Sequence, residues 1–358
     1  MKKILAVRDQ QAKDILGLLK CVATGNGAFP LHEVHEQTMH AFAEHLFHTT
    51  VDMNEIEGTL DGAAEKVVEK DLRGEVLNMA GIIPFLEEEH EEERIETFAT
   101  LATEFGFSRK FARELHGMCH NAVLELTLCQ VRPLGLAMGM PLWKGMLKMG
   151  RSFMHLDGDK KLLARYEGFK DLDDGIFGKI MTDYYRDNHF ALPGTVGAPF
   201  SNSLRIHDMH HVLAGYPTTP IGETCVLAFD SGMMKQDLGK AVIAYVAQFQ
   251  VGLQFDKGLA AFKNEINPDT VIRAYERGGN CNVNYETYDF DFDSLLEEPL
   301  ADIRERFNLD PEGAIVKGPG DPWCGDRGIV GMRQDPNKVE KKKTWLEKVL
   351  DGKNVVKD

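Results

Sequence analysis

Residues 204–216 read LRIHDMHHVLAGY, with Ser201, Asn202 and Ser203 before them and Pro217 after. Ser and Asn are N-cap residues and Gly215 is a C-cap residue, so the spacing predicts a helix of about three turns. On it His207 and His211 stand four apart and project from one face, one turn apart. Helical metalloenzymes grip a divalent ion with two imidazoles at this spacing. Asp208 is rotated by about 100° from His207, which leaves it three roles: rim ligand, partner to a ligand, or base. After the turn Tyr216 to Thr219, Pro220 suits the first position of a second helix, and Glu223 falls in its first turn, facing back. Two histidines with one or two carboxylates suit Zn, Fe(II), Mn or Co, with a position left for water or substrate.

Outward from this stretch the helical period dominates. Apolar residues recur at three and four over Ala12 to Leu19, Leu31 to Phe47, Leu60 to Ala80, Glu87 to Phe105 and Ser108 to Leu128. They do so again over Leu172 to Tyr185, Pro220 to Phe229, Met233 to Phe255, Pro268 to Arg277 and Leu295 to Phe307. A short charged helix is expected from Pro336 to Leu350. With no alternating strand pattern, the fold class is all-α. Residues 1–130 carry 12 Lys/Arg against 23 Asp/Glu, a net of −11 out of −15 for the chain. That asymmetry predicts two parts: an acidic helical bundle at 1–130 and a metal-binding helical domain at 161–310. Between them, 131–160 is a basic, Met-rich linker or interface segment, and 311–358 is a loop-rich extension. The stretch 131–156 has no acidic residue, four basic ones, five methionines and Trp143. Its four glycines and two prolines are expected to break any helix, and its greasy basic character suits a membrane surface or an apolar partner.

The composition excludes several classes. A net charge of −15 on 358 residues leaves no basic face for nucleic acid. The longest apolar candidate for a span, Ala241 to Phe255, contains Gln248, Gln250 and Gln254 and reads as a buried helix, not a membrane span. The first residues meet Arg8 and Asp9 too soon for a signal peptide. Six cysteines without CxxC spacing suit reduced thiols. The expected location is cytoplasmic, with peripheral seating on the inner face of a membrane.

The motif also resembles a family. His207-Asp208-x-x-His211, eleven residues and then Glu223 is similar to the metal motif of the Coq-four family of ubiquinone (coenzyme Q) biosynthesis proteins. Its flanks, His211-Val212-Leu213-x-Gly215-Tyr216 and Gly222-Glu223, resemble that family's too. So do Leu172-x-x-Gly175-x-x-Gly178 followed by Asn188, Ala274-Tyr275-x-Arg277-Gly278, and Pro299-Leu300-x-x-x-Arg304. The likeness covers about 165–310. It implies a helical protein with one divalent metal, zinc first and Fe(II) or Mn as alternatives, on His207, Asp208, His211 and Glu223. It also implies a prenylated quinone precursor or other isoprenoid lipid as ligand, held between helices. The chemistry implied is at ring C1, where a carboxylate leaves and oxygen enters, with Asp208 or Glu223 moving the proton. Arg205, Tyr216 and Arg277 would then meet substrate. The alternative is a non-catalytic scaffold presenting the lipid to other quinone biosynthesis proteins, as an oligomer or in a complex. The chain departs from the family at Leu204, where an arginine is usual, at Gly279, and in the Tyr/Phe-rich loop 285–292.

The first part holds further histidines. His32-Glu33-Val34-His35-Glu36 is one residue short of HExxH, so on a continuous helix its rings diverge by about 300° and a solvated face is expected. Glu87-x-x-His90 has di-iron spacing but only one such pair is present, so a charged solvated face is expected there too. Gly25-Asn26-Gly27 before an acidic helix, with the Glu87 to Glu93 run, is faintly similar to the tellurite-resistance protein B domain. That would imply an accessory metal- or partner-binding module.

Overall fold

The computed structural model describes residues 3–87, 92–108, 135–252, 261–318 and 320–324. Within them the chain is helical, with two isolated bridges and no sheet. The helix expected over Ser108 to Leu128 lies, after its first residue, outside the described residues, as do Pro336 to Leu350 and His90. The first part contains α1 (Asp9–Ala23), α2 (Glu33–Ala41, continued by a wider turn at Phe42–Leu46), α3 (Ala63–Lys66), α4 (Lys70–Ala80) and α5 (Glu92–Glu104). The second contains α6 (Leu142–Phe153), α7 (Lys160–Gly168), α8 (Phe177–Asp187), α9 (Pro199–Ser203), α10 (Arg205–Ala214), α11 (Pro220–Met233), α12 (Leu238–Phe249), α13 (Pro268–Asn280) and α14 (Leu300–Arg306). Buried apolar residues from Ile4 to Trp323 form one continuous cluster, which runs across the boundary expected between two parts. None of these helices is long and apolar enough to cross a membrane.

Several expected helices are shorter than their apolar period. Leu60 to Ala80 breaks between α3 and α4, where the Arg73 guanidinium donates to Val67 O and Ala64 O, both at 2.6 Å. It thereby takes carbonyls that a continuing helix would have used. Leu295 to Phe307 breaks because Pro299, which has no N–H, stands as the N-cap of α14. Met233 to Phe255 yields only α12 after a turn through Lys235, at φ +56°. Ser201 to Ser203 lie in α9 instead of capping the site helix, which starts at Arg205 with no side-chain cap.

The segment 131–156 differs from its expectation most. Gly145 and Gly150 do not break a helix; α6 runs through both, and Pro141 stands just outside it as the N-cap. Gly145 and Ser152 are buried, and a Cβ on Gly145 would come within 2.2 Å of Met138 Sδ. Its glycine therefore serves close approach. Trp143, Met146, Leu147 and Phe153 instead face solvent at 58–66% exposure. The helix is amphipathic inside out, its small residues on the protein and its large apolar ones outside.

Two glycine contacts set the frame around the site. A Cβ on Gly278 would lie 2.0 Å from Phe229 O, and one on Gly232 would lie 2.2 Å from Tyr275 O. So α11 and α13 cross backbone to backbone, which only glycine allows. Helix α10 packs between α11 and α8.

Candidate metal centre

Helix α10 ends as its sequence predicts: Gly215 takes the left-handed conformation at φ +78° and its N–H donates to His211 O at 2.8 Å. The preceding carbonyls are satisfied from afar. Arg304 donates to Val212 O and Leu213 O, both at 3.0 Å. Arg277 donates to Ala214 O at 2.9 Å, to Tyr216 Oη at 2.6 Å and to Asp310 O at 2.8 Å. Two guanidiniums at a helix C-terminus also complement its dipole. On the other side Thr219 accepts from Gly222 N–H at 3.2 Å and caps α11, which fixes Glu223 in the first turn.

These fastenings bring His207, His211 and Glu223 together, one ligand atom from each lying within 4.8 Å of the others. His211 Nε2 is 3.2 Å from His207 Nε2. Glu223 Oε1 is 3.4 Å from the first nitrogen, and Oε2 is 3.5 Å from the second. His211 Nδ1–H donates to Tyr216 O at 2.8 Å, so in the neutral ring Nε2 carries the lone pair. Burial disfavours charge on His207, but Asp230 and Glu223 outweigh it and hold its pKa up at about 10. Burial likewise favours neutral Glu223, yet the two imidazoles hold it down at about 2. A proton thus does here what a cation would do, sitting among two nitrogens and an anion. The donor set and its burial fit a divalent ion of the zinc class.

The other expected site residues sit differently. Asp208 is not the fourth member of the cluster. Its carboxylate accepts from Tyr185 Oη at 2.7 Å and Tyr184 Oη at 3.3 Å on α8, and burial raises its pKa despite Tyr185 and the imidazoles. Arg205 is paired with Asp293. Tyr216 and Arg277, both expected at substrate, are buried against each other and spent on holding the end of α10.

Two residues escaped the sequence reading. Asp230 Oδ1 lies 2.9 Å from His210 Nδ1 and Oδ2 lies 3.8 Å from His207 Nδ1, with His210 and Asp230 buried and His207 partly so. A carboxylate behind a ligating imidazole orients the ring and raises its basicity. Burial favours neutral Asp230, but His210 and His207 pull it down to about 2. The signal was present: Glu223 and Asp230 are seven apart, two turns on one face of an otherwise uncharged helix.

No family model, curated protein or solved structure matches the chain.

Proposed function

We propose that this chain binds one divalent transition-metal ion at His207, His211 and Glu223, zinc before Fe(II) or Mn, and acts on the aromatic head group of a prenylated quinone precursor. The observation that carries the metal reading is the convergence of three ligand atoms, two of them from buried residues, with His211 held from behind by Tyr216 O and Asp230 standing 3.8 Å behind His207. A metal bound there supplies a Lewis acid for a head-group carboxylate, water or oxygen. Glu223 stays ionised as a ligand. Asp208, pushed by burial toward its neutral form beside Tyr185, is the group next to the site suited to hold or pass a proton.

The quinone head group rests on the likeness to the ubiquinone family. A lipid ligand has separate support in α6. Its outward Trp143, Met146, Leu147 and Phe153, with Lys144, Lys148 and Arg151 and no acidic residue over 135–156, suit a seat on the anionic inner face of a membrane. The same face favours one second reading, a non-catalytic scaffold that presents the lipid to other quinone biosynthesis proteins.

Elemental analysis tests the first claim. His207→Ala and His211→Ala should each remove about one equivalent of metal from the purified protein; a wild type that neither carries nor takes up metal would end this reading. Glu223→Gln then separates enzyme from scaffold. It abolishes turnover of a prenylated aromatic acid while isoprenoid binding persists if the site is catalytic, and a scaffold turns over in no variant.

A further inference from the structure

A second cluster lies in the first part, far along the chain from the centre above. We infer that His32, His35 and Glu87 form a second binding site for a divalent zinc-class cation, independent of the first. One ligand atom from each of the three lies within 4.8 Å of the others.

The helical-rotation argument against HEVHE does not apply, because His32 is outside the helix. It is the N-cap of α2 at φ −81°, ψ 156°, and from there its ring turns back to 6.0 Å from that of His35. Nor is His35 on a solvated face, since it is fully buried. His35 Nε2 is 3.1 Å from Ile83 O, a contact that requires its proton on Nε2. Nδ1 is then a bare lone pair, and it is buried with no hydrogen-bond partner among the described residues. A buried acceptor left unpaired is costly, so this nitrogen calls for a ligand that the described residues do not supply as a hydrogen-bond donor.

Glu87 completes the set. Its Oε1 closes on His32 Nδ1 and its Oε2 accepts from Arg94 Nη1 at 2.6 Å. Arg94, fully buried and anchored by Nε to Ala23 O at 2.8 Å, orients the carboxylate from behind. Arg94 and the N-terminal end of α2 oppose positive charge here; Glu33 and Glu36 in the first turn of α2 and Glu87 itself offset them. His32 and Glu87 remain partly exposed, at 40% and 22% of their side chains, which gives an ion an entry path and room for a water ligand. Such an ion would tie the 83–87 segment to the start of α2 and, through Arg94, to the end of α1.

The test uses the full chain carrying His207→Ala and His211→Ala, titrated with Zn(II) in competition with a chromogenic chelator, and with Co(II) as a spectroscopic probe. This double variant should bind one further equivalent of Zn(II), and its Co(II) form should show the strong visible absorption of a four-coordinate site. His32→Ala, at a partly exposed position, and Glu87→Gln should each weaken binding at least tenfold, with circular dichroism unchanged. Absence of that equivalent, or an equivalent insensitive to both substitutions, would overturn the assignment. Neither result bears on the first centre, whose own loss the double variant measures against wild type.

Discussion

Metal binding at His207, His211 and Glu223 should expel one proton, and the geometry says from where. His211 Nδ1 is committed to Tyr216 O, so His211 Nε2 presents a lone pair. His207 Nε2 lies 3.2 Å away and must therefore carry the proton between them. With Asp230 facing its other nitrogen, His207 is the doubly protonated ring, its pKa held at about 10. At pH 7.5, expelling that proton weakens binding by roughly two orders of magnitude in Kd. Because the ligand must be deprotonated to bind, Kd should tighten about tenfold per pH unit between pH 6.5 and 8.5. Calorimetry in buffers of different ionisation enthalpy counts the proton directly. A His32→Ala background keeps a second site from contributing. Asp230→Asn removes the charge that holds the His207 proton. It should flatten the pH slope while weakening metal affinity at its plateau by about 10–100-fold. A wild-type enthalpy independent of buffer, with a Kd flat across this range, would refute the proton assignment and the role given to Asp230.

Three further outcomes follow from the frame. Arg277→Met strips donors from Ala214 O, Tyr216 Oη and Asp310 O in a buried setting. Urea unfolding should show a loss of about 3 kcal/mol, with metal affinity falling as the end of α10 loosens. Gly278→Ala places a methyl 2.0 Å from Phe229 O where α11 and α13 cross; a loss of about 1–3 kcal/mol is expected in the same assay, and a neutral result would mean the helices do not cross so closely. Burial opposes charge on His45, but Glu276 and Asp269, at 3.3 and 2.7 Å, raise its pKa overall. Its folded-state pKa therefore exceeds the unfolded one, so its stabilisation is complete below about pH 6.5 and fades as pH rises through the folded value. The stability difference between wild type and His45→Gln should be largest in acid and shrink in alkali.

The all-α class was readable because apolar spacing of three and four is a local signal, and so was the meeting of His207, His211 and Glu223. His207 and His211 need only one helix to meet, and Glu223 needs only a proline-started helix after a short turn. What fastens that helix was not readable. Its expected caps, Ser201 to Ser203, went into a separate short helix. Its last carbonyls are held by Arg277 and Arg304, some 60–90 residues away in sequence. Arg277, expected at substrate with Arg205 and Tyr216, shows the limit: a basic residue near a site suggests an anion, and nothing local distinguishes that from a buried carbonyl clamp. The same limit explains α6: glycine reads as a breaker until a neighbour such as Met138 requires close approach.

The two histidine clusters make this contrast sharp. HDMHH and HEVHE both offer imidazoles a few residues apart, and a periodic argument accepts the first and rejects the second. The rejection assumed both rings ride one helix. Once His32 is the extended N-cap, the angle between rings is set by a single ψ of 156°, not by helical rotation. Spacing rules for ligands on a helix therefore apply only inside its caps. An imidazole at the N-cap can meet one at i+3, provided a carboxylate from elsewhere closes the set, as Glu87 does here from a segment 52 residues beyond His35.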